Sequence, residues 1–256
     1  MKPTFQEDRR VLLAVRVGLC LAVFGLWQLA AVSGLVKPVL IGKPTEMFSY
    51  LWNELFVTGS LWIDLKWTLI GVAASFVIGS VAGLLVGLLF AMQPFVEKML
   101  NPFFTALNAM PRIALAPLFL IWFGLGVWSK VALGVSLTFF VVLAATTAGA
   151  RSVNPDHLTL ARTLGASGGQ VFRSFVLPNA VPVVFSGLRL GLVVSLLGVV
   201  GGEVIAAEHG LGQALSVLAS SFRTSGVFAL ILLLALIGVT ITWLMDFVEA
   251  HLLRWR

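Results

Sequence analysis

Charge is what this 256-residue sequence has least of: 17 Lys and Arg and 11 Asp and Glu make up only 11% of it. A soluble domain of this length carries roughly a quarter of its residues charged, about 64, to cover its surface. The shortfall excludes an ordinary water-soluble enzyme and a disordered tail. Cysteine is nearly absent as well. The single copy, Cys20, rules out an intramolecular disulfide and any Cys-rich metal site. Its neighbours Gly18, Leu19, Leu21 and Ala22 make it an expected small buried apolar residue. The three histidines, His157, His209 and His251, fall on different expected sides or ends of the chain, so no metal site is expected. There is no Gly-x-x-x-x-Gly-Lys-[Ser/Thr] phosphate loop; the only Gly-Lys, Gly42-Lys43, runs into Pro44. Gly165-Ala166-Ser167-Gly168-Gly169 has the spacing of a hydrolase nucleophile elbow. That elbow needs a preceding strand, and here a helical run precedes it. No catalytic residue is expected, and no enzyme.

What is abundant is apolar side chain, 59% of the sequence, and bilayer is the solvent that suits such a surface. About twenty apolar residues at 1.5 Å each cross the hydrocarbon core. Six such stretches are expected, near residues 11–36, 67–92, 103–125, 131–150, 181–207 and 227–248. The first follows Lys2, Arg9 and Arg10 and reads as an uncleaved span, with Arg16 snorkelling to the interface. The third is expected to be broken by Pro111 and Pro117. The polar stretch 37–66 holds a helix opening at Pro44-Thr45-Glu46, where Met47, Leu51, Leu55 and Phe56 recur at helical spacing; it reads as interfacial. The fold class is therefore an all-α membrane protein, a single transmembrane domain over 1–256 with its core at 67–250.

The net charge of +6 would raise the question of nucleic acid in a soluble protein; here it orients the chain, and no nucleic acid is expected. With the N-terminus inside, Lys2, Arg9, Arg10, Arg16, Lys98, Arg112, Arg151, Arg162, Arg173, Arg254 and Arg256 fall on the cytoplasmic side. Lys37, Lys43, Lys66, Lys130 and Arg223 fall on the other. Basic residues concentrate inside, so both termini are cytoplasmic.

The longest cytoplasmic loop, 151–180, is more structured than a connector requires. Pro155-Asp156 starts a short helix over 157–164, Gly165 breaks or caps it, and Gly168-Gly169 adds a second flexible point. Residues 170–177 then continue helically to Pro178. Such a loop is expected to dock on something. Within the spans, Gly79, Gly83 and Gly87 place three glycines on one helix face, and Gly187, Gly191 and Ser195 repeat the device. Close packing inside one subunit is the favoured reading over a dimer contact. Arg189 and Glu203 lie about 21 Å apart along the fifth span and only about 40° apart around it. Their shared face, with Leu192, Leu196, Val199 and Val200 between them, is the candidate pore wall, because intramembrane charges prefer water to lipid.

The loop residues Ala161-Arg162-Thr163-Leu164-Gly165-Ala166-Ser167, followed by Leu177-Pro178-Asn179-Ala180-Val181-Pro182, resemble the cytoplasmic "EAA" loop of ABC-importer permeases. Thr159 and Leu160 stand where that pattern has Glu and Ala. Pro111-Arg112-Ile113-Ala114-Leu115-Ala116-Pro117-Leu118 with Trp122-Phe123-Gly124-Leu125-Gly126 is similar to the third-span signature of the sulfonate/taurine/nitrate-type permeases. Glu203-Val204-Ile205-Ala206-Ala207 leading to Gly210-Leu211-Gly212 fits the same subfamily. The resemblance implies a bacterial inner-membrane permease that imports a small solute by alternating access, above all an anion of the sulfonate, taurine, nitrate or bicarbonate type. A cofactor precursor or aromatic acid is the alternative cargo. It further implies a second permease copy as homodimer partner, two ABC ATPase subunits that bind the ATP and Mg, and an extracytoplasmic solute-binding protein. The coupling element would be Leu158, Thr159, Ala161, Arg162, Leu164, Gly165, Ala166, Ser167 and Gln170. No cofactor is expected on this chain, whose remaining partner is membrane lipid. The alternative class, a self-contained secondary carrier or channel, would need intramembrane carboxylates, for which only Glu203 and Asp246 qualify.

Overall fold

The computed structural model describes residues 9–34 and 37–252; among them there are helices and turns and no strand. Lys2, Arg254 and Arg256 of the charge count, and the side chains of Arg9, Arg10 and Arg162, lie outside what is described. In chain order the α-helices are α1 (Arg9–Val32), α2 (Pro38–Ile41), α3 (Pro44–Trp52), α4 (Leu61–Met92), α5 (Pro94–Ala109) and α6 (Ala116–Phe123). They continue with α7 (Val127–Arg151), α8 (Pro155–Thr163), α9 (Gly168–Val171), α10 (Leu177–Ile205), α11 (Leu211–Ser220) and α12 (Thr224–Leu252). Among the described residues five helices are long and apolar enough to cross a membrane, and the bent pair 94–109 and 112–123, taken as one broken span, brings the number to six.

The sequence expectations meet several corrections. The third span bends by 83° at residues 110–111, where Met110 and the N-cap Pro111 both take extended backbone before a short 3₁₀ turn, Arg112–Leu115. Pro117 breaks nothing, because it sits in the first turn of α6, where its missing N–H has no helical partner to lose. The second span starts at Leu61 rather than Trp67, with Asp64 in its first turn, where a carboxylate suits the helix dipole. Pro178 likewise opens α10 instead of ending a helix, so one helical run extends from Gly168 to Ile205 through a π-helical turn, Phe172–Val176. Gly168 and Gly169 are the first residues of α9 and not a flexible point. Cys20 is exposed, because α1 buries almost none of its apolar window within the chain. The interfacial helix is present as α3, with Met47 buried, but a π turn over Asn53–Val57 slips its register and leaves Phe56 exposed. The short helix α11 has no counterpart in the sequence reading.

The chain divides into two compact units. In the first, residues 1–61 and 215–233, α1 packs on α3 through Phe24 and Phe48, 5.9 Å between ring centroids. There Trp27 donates its indole N–H to the Ile41 carbonyl at 3.0 Å and meets Phe228 edge-on. In the second, residues 62–214 and 234–256, α7 is the central helix, and α4 and α10 both press against it. The glycines make this approach possible. A Cβ on Gly79 would come 2.8 Å from Thr138 Cβ, one on Gly87 2.6 Å from Thr146 Cβ, and one on Gly191 3.0 Å from a Val142 methyl. Gly187 faces Ala145. Thr138 Oγ1 closes the α7–α10 contact by donating to the Gly191 carbonyl at 3.1 Å. The small-residue faces are thus spent inside one subunit.

Candidate functional site

The cytoplasmic loop is built by local capping. The Asn154 side chain accepts from the Asp156 N–H at 2.9 Å and starts α8. Gly165, at φ +80°, ends it in the left-handed region, with the Ala166 N–H returning to the Ala161 carbonyl at 3.0 Å. This is a glycine C-cap. Ser167 and Gln170 then form a reciprocal capping box that opens α9. Asn179 donates to Ser152 Oγ at 2.9 Å and so ties the two ends of the loop together. Ala161 is buried, whereas Leu160 and Leu164, one turn apart, are 60% and 78% exposed. Leu158 and Ala166 are half-buried, and Thr159, Ser167 and Gln170 are exposed. The expected coupling residues therefore surround an exposed apolar knob, which favours a covering partner. Sequence reading picked out Leu164 but passed over Leu160, its partner at i−4.

At the opposite end of α10, Glu203 is 3% exposed, beside the start of α11. Three side chains hold three successive backbone N–H groups there. Gly210 donates to Asp64 Oδ1, Leu211 to Thr68 Oγ1 and Gly212 to Glu203 Oε2, each at 2.9 Å. Thr68 in turn donates to the Glu203 carboxylate, 2.9 and 3.0 Å from its two oxygens. The first N–H groups of a helix have no internal acceptor, so this clasp satisfies them and holds residues 210–212 to α4 and α10. Lys130, also buried, donates to the Leu125 and Gly126 carbonyls and lines a small cavity with Glu203, Trp67 and His209. Asp64 and Thr68 carry no signal a single sequence would reveal, since only the fold brings them to residue 210.

Arg189 and the candidate pore wall are placed differently from expectation. Arg189 forms ion pairs with Asp246, at 2.6 Å, and with Glu249, both on α12. Leu196 and Val199 are buried in a cluster with Val72, and Leu192, Val200, Ile237 and Ile241 pack against it. Side chains of this same subunit fill the face between Arg189 and Glu203.

A more open feature lies between α5 and α7. A cavity of about 360 Å³ is lined by Phe90, Asn101, Phe104, Thr105, Asn108 and Phe140 among others, with Glu97 and Arg151 at one end. Glu97 and Arg151 form an ion pair there. Next to this lining, Arg112 stacks on Phe140, its guanidinium carbon 4.3 Å from the ring centroid, and donates to the Asn108 side chain and carbonyl. Phe140 lies near the middle of α7, so Arg112 sits beside the centre of a spanning helix and not at the cytoplasmic side where the charge count placed it. The reason is the bend at 110–111, which turns the chain back into the bundle. In the first unit, a separate groove of about 620 Å³ is lined by Glu46, Tyr50, Asn53, Glu54, Arg223 and Thr224 among others. There Lys43, 2.9 Å away, and the Ser225 hydroxyl hold the Glu46 carboxyl below the usual carboxylate range.

From residue 79 to 254 the chain matches the family described as "Binding-protein-dependent transport system inner membrane component". It is 33% identical to the formylaminopyrimidine transport permease protein ThiX of Halalkalibacterium halodurans, over 90% of this chain and 91% of the relative. It is 30% identical to the putative aliphatic sulfonates transport permease protein SsuC of Bacillus subtilis, over 91% and 84%. Its fold is similar to that of a chain in the inward-facing MetNI methionine ABC transporter, with TM-score 0.64 and 17% identity over 74% of this chain and 95% of that one.

Proposed function

Because the chain belongs to the family of binding-protein-dependent transport system inner membrane components, we propose that this inner-membrane ABC permease imports a small organic anion of the sulfonate type. Similarity to the sulfonate permease supports that cargo. The likeness to the formylaminopyrimidine permease supports a second reading, a heteroaromatic cofactor precursor. In the proposed cycle two permease copies enclose one path. Each loop 151–180 seats on an ATPase subunit that binds ATP and Mg, and a solute-binding protein delivers cargo to the extracytoplasmic face. ATP-driven closure of the ATPases rocks the spans between inward- and outward-open states. The single observation that carries this reading is the family match over residues 79–254, which includes the capped loop with its exposed Leu160 and Leu164.

Co-expression with the cognate ATPase and binding protein tests it. Purification should yield two permeases with two ATPases, and uptake into proteoliposomes should need both ATP and the binding protein. Uptake by this chain alone, driven by an ion gradient, would establish a secondary carrier instead.

Replacing Gly165 by valine tests the loop separately. No atom lies within 4 Å of the site a Cβ would take, so the effect is conformational: φ +80° costs a β-branched residue about 1–2 kcal/mol or more. The spans should fold and basal ATP hydrolysis should persist, while solute-stimulated hydrolysis and uptake fall about tenfold or more. Wild-type stimulation in Gly165→Val would remove the loop from the coupling path.

A further inference from the structure

Glu97, Asn101, Thr105, Asn108 and Arg112 recur every three or four residues, so α5 and the turn after it carry one continuous polar stripe. Asn101, Thr105 and Asn108 are exposed within the chain. Polar side chains in a spanning segment avoid lipid and gather on water-filled paths. Asn101, Thr105 and Asn108 line the α5–α7 cavity together with three aromatic rings: Phe90 meets Phe104 edge-on at 5.3 Å, and Phe104 lies 6.0 Å from Phe140. Arg151, which lines the cavity, is neutralised by Glu97; Arg112 borders it through its contacts with the lining residues Phe140 and Asn108. Arg112 has no carboxylate partner among the described residues; its contacts are the Phe140 ring and Asn108. A guanidinium at membrane depth without a counter-ion attracts an anion strongly, because little water screens it. At about 360 Å³ the space suits a small molecule.

We propose that this cavity is a solute site on the translocation path, where Arg112 holds the oxyanion of a small organic anion. The organic remainder lies against Phe104 and Phe140, and Asn101, Thr105 and Asn108 hydrogen-bond along its length. Phe140 stacks on the guanidinium plane, and one NH₂ group is engaged by Asn108, so the oxyanion takes the N–H donors that remain. The assignment rests on the importer reading above and adds to it the class of group recognised and the residue that recognises it. The Arg151–Glu97 pair closes the cytoplasmic end, so release inward requires that pair to part.

The test uses the assembled transporter without nucleotide, in a Cys20→Ala background because Cys20 is exposed. Asn108→Cys is treated with sulfonatoethyl methanethiosulfonate, itself a small sulfonate, and with its trimethylammonioethyl counterpart. Each rate is normalised to that of a free thiol. The anionic reagent should react about tenfold faster than the cationic one, as a nearby unscreened positive charge requires. The preference should vanish in Arg112→Gln and survive in Arg112→Lys. Thr105→Cys, one turn away, should show the same order and serves if Asn108→Cys does not fold. A preference unchanged by Arg112→Gln, or no reaction at either position, overturns the site; a carboxylate supplied by the second permease copy would give that result. Failure here leaves complex formation and ATP-dependent uptake intact, so it is separable from failure of the importer reading.

Discussion

Gly83→Leu should abolish the folded permease. A Cβ at Gly83 would stand 2.7 Å from the Phe139 carbonyl oxygen and 3.0 Å from the Leu143 nitrogen. Both are backbone atoms of α7, so no rotamer change relieves the clash, and α4 must lift away from its neighbour. That movement also opens the contacts at Gly79 and Gly87, which lie on the same face. Overpacking of a well-packed core costs about 1–3 kcal/mol. A rigid backbone obstruction that disrupts three contacts together belongs at or above the upper end. Membrane-extracted Gly83→Leu should lose its monodisperse peak on size exclusion, with yield down about tenfold or more. Val81→Leu serves as the control, since Val81 is 51% exposed on the same helix and should behave as wild type. A normal peak for Gly83→Leu would mean that α4 and α7 are not in close contact.

Glu203→Ala should release the start of α11. It removes the acceptor of the Gly212 N–H and the partner of the Thr68 hydroxyl, which itself holds Leu211. Each buried group left unpaired costs about 1–3 kcal/mol, so amide exchange at residues 210–212 should accelerate by about tenfold to a hundredfold. Glu203→Gln keeps one acceptor oxygen but turns an NH₂ group towards a second donor, and should fall between. In the transporter the freed segment should loosen the end of α10 opposite the loop 151–180: uptake declines while ATP hydrolysis continues, and solute selectivity is unchanged. Protection at 210–212 equal to wild type in Glu203→Ala would show that the clasp contributes nothing to holding residues 210–212.

The clasp also shows how far the sequence reached. Glu203 is flanked by apolar residues in a long apolar run, and a carboxylate there must find donors; the glycine-rich backbone at 210–212 was the nearest supply. That pairing is local, nine residues apart in the sequence. Thr68 and Asp64 complete it from more than 130 residues away, which no spacing rule reveals. The same division separates the two arginines. Arg189 read as a pore residue until α12 supplied Asp246 and Glu249 to neutralise it. Arg112 counted as a charge on the cytoplasmic side until an 83° bend carried it against Phe140.

The sequence by itself determined the solvent, the approximate number of spans and the capped turn at Gly165. It also supplied the small-residue faces on α4 and α10. These follow from composition, from helical periodicity and from backbone chemistry acting over a few residues. Tertiary structure decided which face each helix buries, where the third span folds back, and which ionisable groups meet a partner. In a chain so apolar almost every helix face suits either lipid or protein, so hydrophobicity cannot choose between them. The choice falls to close packing on α7 and to the few charges that must be paired.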